Sequence, residues 1–124
     1  MIKLLNLIIG GSLGTLARYF LSGVCYQFLG AQFPYGTLIV NLFGCLVVGF
    51  LASISDEKFF LDSNSRLFLM AGFCGAFTTF STFIFETSNL IKDGEILKAF
   101  TNVIISVVIG FVVFRFGVFL AEIV

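Results

Sequence analysis

The chain has 124 residues, 59% of them hydrophobic and 11% charged, with seven basic residues balancing seven acidic ones. Soluble domains run at about 45–50% apolar and about 25% charged, so this composition excludes an ordinary soluble protein and points to an integral membrane protein. No polar segment is longer than the stretch around 55–65, which leaves no room for a soluble second domain, and nothing in the balanced charge suggests a nucleic-acid partner.

Four membrane-spanning helices are expected, at about 4–28, 36–54, 67–91 and 99–122, in one transmembrane domain covering 1–124. Each is near or above the roughly 20 residues that a hydrocarbon core about 30 Å thick requires. Lys3 ahead of an apolar run could open a signal peptide, but no Ala-x-Ala-like site follows and the apolar character continues past Arg18, so no cleavage is expected. In the first span Gly10 and Gly14 form a small-x-x-x-small step, as do Ser106 and Gly110 in the fourth, and each permits close helix contact. A segment from Gly30 to Pro34 makes the first connection.

The second span carries Thr37 and Asn41, four apart on one helix face, with Gly44 a turn further along. A charged connection with Asp56, Glu57, Lys58 and Asp62 follows. The third span is the most informative, reading Gly72-Phe-Cys-Gly-Ala-Phe-Thr-Thr-Phe-Ser-Thr-Phe-Ile-Phe-Glu86. Hydroxyls and a carboxylate are costly at membrane depth unless they face protein, water or a solute, so this stretch reads as a substrate or ion pathway. Thr79, Thr82 and Glu86 share a face, and Ser106 adds a hydroxyl from the fourth span. Hydroxyls that rotate to donate, and an Asn amide with two donors, can replace the hydration shell of a small anion. The same groups could instead serve as interhelical hydrogen bonds, the plainer reading for any single Ser or Thr.

Eighteen phenylalanines and no tryptophan do not make the usual interfacial aromatic belt. Most of these rings pack or face lipid. Phe80 and Phe83 differ, because they interleave with Thr79, Ser81 and Thr82. A ring turned edge-on stabilises a dehydrated anion weakly, and weak serial binding is what conduction needs. Gly72 and Gly75 suggest that the third span is not one continuous helix, and freed carbonyls there would suit a hard cation such as Na⁺.

Topology is poorly specified. Lys3, Lys58, Arg66 and Arg115 lie towards the face carrying both termini, and Arg18, Lys92 and Lys98 towards the other. Such a small bias permits insertion in both directions and an antiparallel dimer, although one or two charges could equally decide a single orientation. Four helices are also too few to enclose a conduit easily, which favours a pathway shared between subunits.

Three segments together resemble the Fluc-type (CrcB family) fluoride channels: Gly10-Gly-Ser-Leu-Gly14 with Arg18-Tyr, Gly36-Thr-Leu-Ile-Val-Asn41-Leu-Phe-Gly44, and the Gly72–Phe83 stretch with Glu86. The third is the most specific of them, and the fourth span matches by hydropathy and Ser106. The resemblance implies an all-α, antiparallel, dual-topology homodimer with a broken third helix and two fluoride pathways. It implies fluoride contacts at Asn41, Phe80 and Phe83, with Ser81 and Thr82 nearby. It further implies a polar track through Thr37, Glu86 and Ser106, a positive vestibule at Arg18, and a structural Na⁺ on the backbone carbonyls of Gly75 and Thr78. Gly110, with no side chain, does not extend the Ser106 face.

Such a protein would export fluoride passively from the cytoplasm across the inner membrane. There is no P-loop and no histidine for ATP or proton coupling. Two other readings stay open: a dual-topology exporter of cationic drugs using Glu86, and a structural subunit that conducts nothing. An enzyme is not expected, since no nucleophile–base pair or metal-ligand cluster is present. Cys25, Cys45 and Cys74 lack C-x-x-C spacing and read as small buried apolar residues.

Overall fold

A computed structural model describes residues 1–57 and 61–124. Among them are only helices and their connections. Helix α1 is Ile2–Leu29, α2 is Tyr35–Glu57, α3 covers residues 63–77, α4 is Phe80–Lys92 and α5 is Ile96–Ile123. With α3 and α4 taken as two halves of one span, four helical stretches are long and apolar enough to cross a membrane. They contain the four expected spans and extend beyond them at both ends. Lys58, used in weighing the charge bias, lies outside the described residues.

Local chemistry sets the helix ends. The α1 helix stops at Gly30, whose φ of 81° suits glycine and whose N–H donates back to the Tyr26 carbonyl. Pro34 follows and accepts from the Leu38 N–H at 3.1 Å, starting α2 with a residue that has no N–H to lose. Asp62 caps α3 by accepting the Ser65 N–H at 3.1 Å, and the Ser65 hydroxyl and amide together hold its carboxyl below the usual value. A second glycine with positive φ, Gly94, turns the chain between α4 and α5.

Two seams hold the bundle together. Along α1 and α3, a methyl added at Gly14 would collide with the Phe73 carbonyl. Along α2 and α5, a methyl at Gly49 would meet the Phe114 carbonyl and one at Gly117 the Leu46 carbonyl. With no hydrophobic drive between helices in lipid, this backbone-to-backbone approach supplies the contact area that holds them. The step Gly10–Gly14 therefore packs inside one chain. Of the larger residues, Val40, Cys74 and Asn102 are the most completely buried, whereas Leu13, Phe20, Val107 and Phe111 are exposed as lipid-facing residues are.

The third span is broken, but not at its glycines. Gly72 is buried against Gly10, while the backbone leaves helical geometry at Thr78 and Thr79, with φ/ψ of −85°/158° and −149°/122°. The cause lies in α2: Asn41 supplies the hydrogen bonds that the interrupted helix gives up. Two π-helical turns, Leu67–Cys74 in α3 and Ile105–Ile109 in α5, widen the helices near this region. Such turns are frequent at functional sites, and the second one carries Ser106.

Candidate functional site

The site is built around the break. The Asn41 side chain lies across it, its Nδ2 donating to the Thr79 carbonyl at 2.9 Å and its Oδ1 accepting the Thr79 N–H at 2.8 Å. One amide thus satisfies both backbone groups of an extended residue inside the membrane, leaving its second N–H free. Thr79 in turn caps α4. Its Oγ1 accepts the Thr82 N–H at 3.3 Å and donates to Thr82 Oγ1 at 3.1 Å.

Rerouting these donors has a consequence for the carbonyls upstream. In a continuous helix the Thr79 N–H would go to Gly75 and the Thr82 N–H to Thr78. Asn41 and the Thr79 hydroxyl take those donors instead, so both carbonyls lose their helical partners. Gly75 is exposed and Thr78 half-buried. Carbonyl oxygens without helical donors are the ligand type that a hard cation takes. No group of three His, Cys, Asp or Glu residues suited to a transition metal occurs among the described residues.

Two clefts adjoin the break, and a third adjoins the second of them. A cleft of about 330 Å³ is lined by Asn41, Thr78, Thr79, Phe80, Phe83 and Ser106, among others. A second, of about 250 Å³, takes in Thr79, Thr82, Thr37, Glu86, Arg18 and Tyr26. Thr79 belongs to both. A third, of about 260 Å³, shares Tyr26 and Glu86 with the second and reaches Asn89 and Asp93. Shared lining residues thus relate the three clefts, and polar side chains recur in them from Ser106 past the break to Asn89 and Asp93 near the end of α4.

Glu86 sits where the second and third clefts meet. Its Oε1 accepts hydrogen bonds from Tyr26 and Thr37, each at 3.0 Å, while its Oε2 is buried with no partner. Ser106 Oγ, in the first cleft, is likewise buried and unpaired. Ser53 Oγ and Ser55 Oγ, away from these clefts, are buried and unpaired as well, so the lack of a partner does not by itself mark the pathway. Within the clefts, the Ser106 hydroxyl has a proton that it can give to a solute, whereas Glu86 Oε2 can only accept.

The aromatic pair is split in its exposure. Phe83 is 6% exposed and Phe80 74%, with ring centroids 5.7 Å apart. Ser81 is exposed and lines none of these three clefts. Of the residues expected at the site, the fold therefore brings Asn41, Phe80, Phe83 and Ser106 to one cleft and Thr37, Thr82, Glu86 and Arg18 to the next. Ser81, Gly75 and Phe80 face outward from the chain.

Cys45 departs from its expected role as a buried apolar filler. It is half-buried and lines the first cleft, because its position four residues after Asn41 carries it onto the polar face of α2. Cys25 and Cys74 are buried as expected. Three residues outside the sequence-based set also matter: Tyr26, which holds Glu86, and the buried pair Thr87 and Asn102. A polar Asn in the apolar fourth span was a visible signal; the Tyr26–Glu86 contact, 60 residues apart, was not.

Comparison with known proteins places the chain among relatives. The family model described as "CrcB-like protein, Camphor Resistance (CrcB)" matches residues 5–118. A protein of Solidesulfovibrio magneticus, named fluoride-specific ion channel FluC, is 41% identical over 122 residues, covering 98% of each chain. One of the same name from Dehalococcoides mccartyi is 42% identical over 97% of this chain and 92% of its own, and one from a Geobacter species is 50% identical over 79% of each.

Proposed function

The chain belongs to the CrcB family, and from that premise we propose that it is a passive, fluoride-selective channel, a multi-pass protein of the inner membrane and not an enzyme. The observation that carries this reading is the pair of clefts that share Thr79 at the Asn41-clamped break, lined by Ser106 and Asn41 on one side and by Thr82 and Glu86 on the other.

Fluoride is small, strongly hydrated and a strong hydrogen-bond acceptor. It enters a dry pathway only where donors replace its water. The free Asn41 N–H, the rotatable hydroxyls of Thr82 and Ser106, and the ring edges of Phe80 and Phe83 supply that replacement in steps. Chloride, larger and a weaker acceptor, gains less from the same donors and fits the narrow file less well. Further along, Tyr26 and Thr37 both donate to one oxygen of Glu86, so parting from it would turn two hydroxyls towards a passing anion. Arg18 in the second cleft gives that end a positive potential.

The outward-facing Phe80, Ser81 and Gly75 support a pathway completed by a second copy of the chain. In the antiparallel homodimer that we infer, each of two pathways draws on both subunits. The Gly75 and Thr78 carbonyls of the two chains would hold a structural Na⁺, which would offset the negative ends of those carbonyl dipoles. Export needs no coupling. Hydrogen fluoride crosses lipid as a neutral acid and dissociates in the more alkaline cytoplasm, and an interior-negative potential drives the anion outward by about 2.3 kcal/mol per 100 mV.

The test is fluoride efflux from liposomes containing only the purified protein, read with a fluoride electrode after adding a potassium ionophore, with chloride followed in parallel. Fluoride loss without chloride loss is the expected result. A folded protein that passes neither ion, or both equally, overturns the proposal.

A further inference from the structure

The short helix α4 carries most of the pathway residues, yet it is joined to α3 only through the extended Thr78–Thr79 pair. Its 13 residues cannot inherit their rotation from α3, because the helical hydrogen bonds stop at the break. Something else must hold its azimuth. At its N-terminal end that is Asn41, acting through Thr79. Further along, Tyr26 of α1 and Thr37 of α2 hold Glu86, and a second amide reaches α4 from α5.

Asn102 is 1% exposed, and its Nδ2 donates to Thr87 Oγ1 at 2.9 Å. The Thr87 hydroxyl, on a residue 8% exposed, passes its own proton on to the Phe83 carbonyl at 2.7 Å. This chain from α5 to the backbone of Phe83 includes the one side-chain hydrogen bond between α4 and α5 among the described residues. Thr87 lies one turn beyond Phe83 and next to Glu86. A rotation of α4 that broke the contact would therefore turn the Phe83 ring and the Glu86 carboxylate together.

We propose that Asn102 is a positioning residue for the anion pathway: through Thr87 it sets the rotation of α4, and so the direction in which Phe83, Thr82 and Glu86 face the file of donors. The proposal rests on the channel reading above. Neither residue is among those lining the three clefts described above. Their contribution is geometric. Asn41 at one end and Asn102 at the other are amide clamps on α4, beside the Tyr26 and Thr37 contacts to Glu86.

Asn102→Leu and Thr87→Val separate this role from mere packing when made singly and together. Each single variant leaves one buried polar partner unsatisfied and lowers stability, whereas the double variant replaces both partners with apolar groups and recovers most of it. Fluoride efflux from liposomes holding equal amounts of folded protein, with thermal unfolding measured alongside, is the readout. The expected result is a flux lowered about 3- to 20-fold in the singles, the factor that one interhelical hydrogen bond in a membrane corresponds to. The double variant should stay equally slow despite its recovered stability, and Thr87→Ser, which keeps the hydroxyl, should conduct as wild type.

A double variant that is folded and conducts at the wild-type rate overturns the positioning role and leaves the channel reading intact. A wild-type protein that passes no fluoride fails the channel reading, and this inference falls with it. Should the singles not fold, the double variant and Thr87→Ser decide the matter on the same criteria.

Discussion

The glycine seams and the helix break are two opposite solutions to the same problem, burial of backbone in a medium without water. Along α1–α3 and α2–α5, glycines bring helices into backbone contact while every helix keeps its own hydrogen bonds. At Thr78–Thr79 the helix gives up those bonds, and side chains from other elements replace them. The seams are not free of spare polarity, since Ser53 Oγ and Ser55 Oγ on α2 are buried without partners. The break and its surroundings hold more donors and acceptors than they use, including Ser106 Oγ and Glu86 Oε2. Stability therefore belongs to the region that is closed, and ion handling to the region left incomplete.

Substitutions sharpen this contrast. The largest effect is expected in a seam. Gly117→Val drives a branched side chain into the Leu46 carbonyl, which neither helix can yield without separating, and should cost about 3 kcal/mol or more. The measurement is the yield of monodisperse, folded protein in detergent; wild-type yield and thermal stability would show that the seam is not as tight as described.

Next comes Asn41→Ala, which leaves both backbone groups of Thr79 without their partner at about 1–3 kcal/mol each. Fluoride flux should fall by about 30-fold or more. Stability should fall as well, because here the same amide serves both structure and pathway. Flux at the wild-type level would detach the clamp from conduction.

Phe83→Ile separates the two regions more cleanly. The ring is buried beside the break in the first cleft, so flux should drop about tenfold while unfolding shifts by about 1–2 kcal/mol, less than for the seam variant. Phe80→Ile, on the exposed partner ring, should slow flux with still less effect on the single chain. Wild-type rates in both variants would remove ring edges from the mechanism.

The smallest expected change is in Arg18→Gln. Arg18 lines the second cleft and makes no ion pair with Glu86 among the described residues, so its loss should leave folding untouched. Flux should fall severalfold at low ionic strength, and the difference should fade as salt screens the vestibule. A deficit that persisted at about 1 M salt would assign Arg18 a direct contact instead of a field effect.

The primary structure alone determined the four spans, the membrane setting and the residue types of the pathway, because hydropathy and face-sharing are local properties written at spacings of three, four and seven. Thr37 and Asn41 do share a face, and the Gly72–Glu86 stretch does hold the interrupted helix. Position within the break was less legible. Gly72 and Gly75 drew attention to the right segment, but the chain parts at Thr78–Thr79, since what makes an interruption tolerable is a replacement donor, and that donor sits 38 residues away in α2. Tyr26 meets Glu86 across 60 residues, and Thr37 meets it across 49. Asn102 finds Thr87 on the far side of a turn. A sequence states which groups a helix presents and in which direction. Which groups of another helix meet them depends on how closely the glycine seams let the helices approach and how each is rotated, and only the packed structure decides that.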